Sequence, residues 1–152
     1  KSVSTRPLIV KLSPNVTSIA QMAKIAEAAG ADAVSLVNTF VAMSIDSETR
    51  QPRLTNITGG LSGPAIKPIA LRMVYETARA VKIPILGMGG LVTPAAAVEF
   101  LLAGAAAVQV GTASYADPRA TERLAKGLES WCRGHHVEAV SSLTNALEIP
   151  KP

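Results

Sequence analysis

Four places along this 152-residue chain carry side chains or glycines with chemistry to offer, and each ends a short apolar run. The first is Lys11 in Leu8-Ile9-Val10-Lys11-Leu12, followed by Ser13 and Asn15. An ammonium in such a run is costly to desolvate unless an anion or hydrogen-bond acceptors meet it. It either forms an interior ion pair with a carboxylate, or it does chemistry by stabilising negative charge on a cofactor ring or forming a Schiff base. The second is Asn38-Thr39, after Ala33-Val34-Ser35-Leu36-Val37. Its donors and acceptors suit a planar ligand bearing amides and a carboxylate, or else a plain turn. The third is Gly87-Met88-Gly89-Gly90, after Ile83-Pro84-Ile85-Leu86, with Thr93-Pro94 opening a helix just beyond. The fourth is Gly111-Thr112, after the run Ala106 to Val110. Where no Cβ blocks the approach, backbone N–H groups at a helix start can crowd onto an anion. Singly, each glycine stretch also reads as an ordinary tight turn. As a pair of successive strand ends they point to a phosphate held between neighbouring loops, a site common after the last two strands of (β/α)8 barrels.

Other chemistry is poorly provided for. No Ser/His/Asp or Cys/His arrangement is legible, and the carboxylates are scattered over helix surfaces, so the chain offers no general base. His135 and His136 are adjacent, a poor spacing for one metal ion, and read as a solvated helix end. The single cysteine, Cys132, excludes an intrachain disulfide and a cysteine-rich metal site, and its amphipathic surroundings make it a packing residue. A net charge of +4 with scattered basic residues, one Trp, two Tyr and two Phe argues against nucleic-acid binding and suits an anionic small molecule. With 48% hydrophobic and 17% charged residues the chain can bury a core. The apolar runs stop well short of a membrane span and no signal peptide precedes them, which makes a reducing cytoplasm the expected location.

The elements that must position these residues follow from periodicity. Runs at Leu8–Leu12, Ala33–Val37, Ile83–Leu86 and Ala106–Val110 predict four buried strands. Between them, Ser18 with Gln21 resembles a capping box for a helix carrying Ile19, Met22, Ala23, Ile25 and Ala26 up to Gly30. A second helix is predicted from Pro64 or Pro68 to about Val81, burying Ile69, Met73, Val74 and Ala78. A third, Pro94 to Ala103, is capped by Thr93 and stopped by Gly104, with Val98, Leu101 and Leu102 inward. Asp117-Pro118 reads as an N-cap with proline at the first helical position of a helix reaching Arg133. The tail, 134–152, is expected to hold one short helix around Ser141 to Leu147. Phe40–Ser62 breaks this rhythm; loops of that length are functional or carry small structure of their own, and this one reads as an excursion over the mouth of the fold, with a short hairpin around Gln51-Pro52. Two stretches, EAAGADAVSLVNT and LLAGAAAVQVGT, echo one another as helix end, glycine, strand and polar turn. Four βα units with continuous apolar strands imply a parallel α/β sheet covered by helices, half of a (β/α)8 TIM barrel. Because the first residue is Lys1 and strand-like sequence begins at Leu8, a preceding portion is expected, and a half barrel would leave two open strand edges that invite association.

Taken together, VKLSPNVTSI, SLVNT, GGLSGPAIKPIALRMVYE, ILGMGG, FLLAGAAAVQVGT and the following ADP resemble the C-terminal half of dihydroorotate dehydrogenase, in its NAD-linked class 1B catalytic subunit, from about Pro7 to Trp131. The resemblance implies an FMN-containing (β/α)8 barrel that oxidises dihydroorotate to orotate in pyrimidine biosynthesis, with 1–152 as its C-terminal half. It implies that Lys11 approaches the flavin ring, that Val37 touches FMN through its backbone and that Gly63 lies against the cofactor. Gly89, Gly90, Gly111 and Thr112 would bind the FMN phosphate, and Asn38 and Thr39 the orotate. It implies partners as well: the N-terminal half of the same barrel, a second copy, and an iron–sulfur flavoprotein subunit that passes electrons through FAD and its cluster to NAD. The family's cysteine base lies in that N-terminal half, and Cys132 is in the wrong place to replace it. Two other readings stay open. The KL-x-PN and G-x-SG patterns are shared with the flavin domain of dihydropyrimidine dehydrogenase, although the GGLSGPAIKP and GMGG spellings favour the first reading. A non-catalytic, phosphate-binding half barrel is the third.

Overall fold

The computed structural model describes residues 3–150. Four short parallel strands form one sheet: β1 (Ile9–Lys11), β2 (Ala33–Leu36), β7 (Ile85–Met88) and β8 (Ala107–Gln109), in the order β1-β2-β7-β8. The register pairs Val10 with Val34, Val34 with Ile85 and Gly87 with Val108. Helices α1 (Ile19–Ala28), α2 (Lys67–Ala78) and α3 (Pro94–Leu102) connect successive strands, and α5 (Ala120–Gly134) follows the last. Each connection from strand to parallel strand needs such a crossover, and the helix supplies it. The result is a partial (β/α) barrel.

Strand side chains alternate between two faces. Val34, Leu36 and Ile85 point under the helices, where Ala23, Ala70, Val74 and Phe100 meet them in one core. Ile9, Lys11, Ser35, Leu86, Met88 and Gln109 occupy the alternate positions. All four strands were expected to be buried. The structure buries β2 throughout, whereas β1 and β8 keep only their central residues, Val10 and Val108, partly buried and leave Ile9, Lys11, Ala107 and Gln109 exposed. The cause is position: β1 and β8 are the outer strands, each with one neighbour.

Local chemistry sets the ends of α1 and α3. The Ser18 hydroxyl accepts from the Gln21 amide and the Thr93 hydroxyl from the Ala96 amide. Gly30 and Gly104 end α1 and α3 at φ +88° and +117°, values that favour glycine. Three expectations shift. Met22, Ile25 and Ile69 are exposed, and Ala70 and Thr77 join Met73 and Val74 in the buried stripe of α2. Asp117 is not the N-cap of the last helix. It caps a preceding turn, accepting from the Arg119 amide at 3.0 Å, and a short helix α4 (Ala113–Ala116) comes before it. The tail helix is a single 3₁₀ turn, Val140–Leu143, which inserts Leu143 beside Val98, Leu101 and Cys132.

The excursion after β2 is more regular than a loop. β3 (Phe40–Met43) pairs antiparallel with β6 (Thr58–Leu61), and within that ribbon β4 (Ile45–Asp46) pairs with β5 (Gln51–Pro52), the short hairpin expected around Gln51-Pro52. A 3₁₀ turn, Pro64–Ile66, leads the chain from it into α2.

Candidate functional site

The C-terminal ends of the four parallel strands open on one cavity of about 760 Å³. That volume lies within the usual range of small-molecule pockets. Lys11, Val37, Asn38, Thr39, Gly63, Gly89, Gly90, Gly111 and Thr112, singled out from sequence, all line it. They come from five separate stretches of chain, so the fold alone assembles them.

Lys11 lies opposite Ser35 in the register and is exposed on the open face. Among the described residues no ion pair or hydrogen bond engages its ammonium, so the interior carboxylate pair is not formed here. Among the described lining residues Lys11 carries the one formal charge, which gives the cavity a positive bias towards an anion.

The segment beyond β2 is pinned on both sides. The Val37 amide donates to the Met88 carbonyl at 3.0 Å and the Asn38 amide to the Leu12 carbonyl at 3.1 Å. Val37 is buried, and the Leu36–Val37 peptide is cis. The Asn38 Oδ1 accepts from the Thr39 amide at 2.9 Å, which orients the pair at the rim.

The glycines close the far wall. Gly63, Gly89 and Gly90 have φ of +87°, +129° and +73°, a region that L side chains rarely adopt. A Cβ on Gly90 would stand 2.8 Å from the Gly63 carbonyl oxygen, and one on Gly89 would stand 2.7 Å from the Ala70 Cβ. Thr112 Oγ1 donates to Ser62 Oγ at 2.8 Å, tying the end of β8 to the return of the excursion. Gly111 differs: a Cβ there would meet nothing within 4 Å. Gly111 also lines the cavity.

Two expectations about this wall change. Gly87 belongs to β7 rather than the turn, and lets the strand pack tightly on α3, since its Cβ would fall 2.6 Å from Phe100 Cδ1. The start of α3 does not line this cavity either: Thr93 caps it, and Thr93 and Pro94 line a different groove, against Asp117 and Arg123. The glycine turns themselves, not that helix end, face the cavity.

Sequence reading passed over Ser35, Ser62, Met88, Gln109 and Tyr115, which also line the cavity. Strand parity could have found three of them, because Ser35, Met88 and Gln109 share the face that carries Lys11. Cys132 is buried against α3, in a cluster with Val98, Leu101 and Leu143, and takes no part in the cavity. His135 stacks on Trp131 with ring centroids 4.0 Å apart. Among the described residues no group of three His, Cys, Asp or Glu could hold a metal ion, and no helix is long and apolar enough to cross a membrane.

A family model described as dihydroorotate dehydrogenase matches residues 1–131. The chain belongs to the dihydroorotate dehydrogenase family. It is 58% identical over 149 residues to the catalytic subunit of dihydroorotate dehydrogenase B (NAD(+)) from Citrifermentans bemidjiense, covering 98% of this chain and 49% of that protein. The subunit of the same name from Trichlorobacter lovleyi is 55% identical over 148 residues, 97% of this chain and 49% of the relative. That from Bacteroides fragilis is 52% identical over 149 residues, 98% of this chain and 49% of the relative. The chain thus spans about half the length of the curated relatives it matches.

Proposed function

We propose that residues 1–152 are the C-terminal half of an FMN-binding (β/α)8 barrel that oxidises dihydroorotate to orotate in pyrimidine biosynthesis, passing electrons towards NAD. One observation carries the reading: the cation, the Asn-Thr pair and the glycine turns implied by family resemblance all line a single cavity at the strand ends.

The residues present fit such a cofactor. Gly111 leaves open space at the wall, and Gly63, Gly89 and Gly90 bring bare backbone to it, as a phosphate approached by N–H groups requires. Gly89, Gly90, Gly111 and Thr112 would hold the phosphate, Gly63 and the Val37 backbone would flank the ring, and Lys11 would stand beside it. When bound, FMN supplies the two-electron acceptor. Lys11 would stabilise negative charge on the ring, an effect strengthened wherever water is excluded. Asn38 and Thr39 orient the amides and carboxylate of the substrate. The substrate proton must leave to a base, and no described side chain lining the cavity is a cysteine or a carboxylate. We assign the base to the other half of the barrel, whose strands would cover the open face bearing Ile9 and Lys11.

The names of several relatives specify a catalytic subunit, which supports a partner subunit for this protein too, and we take it to be an iron–sulfur flavoprotein carrying FAD, joined to a homodimer of catalytic chains in the cytoplasm. The test uses the full-length protein. Purified enzyme should carry a flavin absorption band, convert dihydroorotate to orotate, and leave uracil untouched. Oxidation of a pyrimidine base in place of dihydroorotate would overturn the substrate assignment. Absence of flavin uptake by the full-length protein would overturn the cofactor assignment.

A further inference from the structure

The turn between β1 and α1 reaches across to the rim of the cavity through one side chain. Asn15 Nδ2 donates to the Thr39 carbonyl at 3.0 Å, and Asn15 Oδ1 accepts from the Val41 amide at 2.9 Å. With a carbonyl on one side and an amide on the other, only one orientation of the side-chain amide satisfies both. Ser13 Oγ steadies it, accepting from the Asn15 backbone amide at 3.2 Å and from Nδ2 at 3.3 Å. Asn15 itself does not line the cavity; Thr39 does.

Thr39 is also confined from the opposite side. A Cβ on Gly60 of β6 would stand 2.4 Å from Thr39 Oγ1 and 2.7 Å from its Cβ. Gly60 pairs with Val41 in the β3–β6 ribbon. The ribbon's first residues, the Thr39 peptide and the β1–α1 turn are therefore one clamped unit. Its jaws are the Asn15 amide and the bare backbone of Gly60.

We infer that Asn15 is a positioning residue for substrate recognition, acting through the Thr39 and Val41 backbone, and that Gly60 is the space the Thr39 side chain needs. The assignment rests on the dehydrogenase reading, which places orotate against Asn38 and Thr39. Among the described residues Asn15 hydrogen-bonds to Ser13, Thr39 and Val41 and not to the glycine turns of the phosphate wall, so loosening the clamp should weaken the substrate and spare the cofactor. An aspartate at position 15 would keep the acceptor for Val41 but set a carboxylate oxygen against the Thr39 carbonyl. It should be no better than alanine.

The experiment uses the full-length enzyme with FMN, as wild type and as Asn15→Ala, Asn15→Asp and Gly60→Ala. Three quantities are read: flavin content, orotate affinity from the perturbation of the flavin spectrum, and KM and kcat for dihydroorotate. The expected result is wild-type flavin content, with orotate affinity and KM weakened roughly tenfold in all three variants, a loss matched to one or two hydrogen bonds. The value of kcat should move by less than about twofold, since the clamp does not touch the reacting atoms. Unchanged orotate affinity in the Asn15 variants overturns the assignment. Flavin lost in parallel with orotate also overturns it, because the clamp would then be serving the fold. A wild-type enzyme that binds FMN yet ignores orotate overturns the dehydrogenase reading, and this assignment with it.

Discussion

Gly90 rests against the Gly63 carbonyl so closely that a Cβ on Gly90 would stand 2.8 Å from that oxygen, whereas a Cβ on Gly111, across the same wall, would meet nothing. Two glycines of one site therefore answer to different demands. Gly90→Ala should destabilise the full-length protein by about 1–3 kcal/mol, from backbone strain at φ +73° and the clash together. Gly111→Ala should leave the thermal midpoint of the flavin-free protein unchanged. It should still weaken FMN binding tenfold or more, by filling the space where the phosphate is proposed to lie, a loss of about 1.4 kcal/mol. Thermal unfolding with and without FMN, beside a flavin titration, separates the two. Normal FMN affinity in Gly111→Ala would move the phosphate elsewhere.

Lys11 has no partner to lose among the described residues, so its role can be probed without disturbing a salt bridge. Lys11→Met keeps the apolar stem and removes only the charge, so the full-length enzyme should still fold. If the ammonium stabilises charge on the flavin ring, reduction of the bound flavin by dihydroorotate should slow by about 10²-fold, the order seen when one preorganised charge-stabilising group is removed. Rapid mixing under anaerobic conditions reads that step alone. A large loss of stability with no change in rate would make Lys11 a structural residue.

Behind the site, β7 and α3 meet through Gly87 and Phe100, the latter fully buried. Phe100→Ala should cost about 3–5 kcal/mol, a large deletion in a packed core. Gly87→Ala should cost about 1–3 kcal/mol by overpacking the same contact. Combining Gly87→Ala with Phe100→Leu should cost less than the sum of the two single changes, because the smaller side chain frees the space the new methyl needs. Urea denaturation of the full-length variants gives the coupling directly. Strict additivity would mean that the two residues do not share that contact.

How far the sequence could be read depended on how local each cause is. Ser18 and Thr93 as caps, and Gly30 and Gly104 as stops, were legible because a cap's hydroxyl and its target amide lie three residues apart, and a left-handed stop needs only the glycine. Asp117 misled because an Asp-Pro pair opens a turn as readily as a helix, and the choice went to the turn before α5. Met22, Ile25 and Ile69 kept the helical period yet lie exposed, since periodicity marks a stripe but not which edge of it the neighbours cover. Phe40–Ser62 was recognisable as an excursion, but its pairing of Phe40 with Leu61 is an antiparallel contact between distant residues.

The alternation of strand and helix, the family, and the residue types available at each strand end are written in the amino-acid order, because apolar period, capping and motif spelling span only short stretches. Only the tertiary structure decided that Lys11, Asn38, Gly63, Gly90 and Gly111 share one cavity, that Gly87 serves packing, and that Asn15 and Gly60 hold Thr39 between them. Those relationships join residues tens of positions apart. They arise from sheet register and from how closely bare backbone lets loops approach, and neither is encoded at any single position.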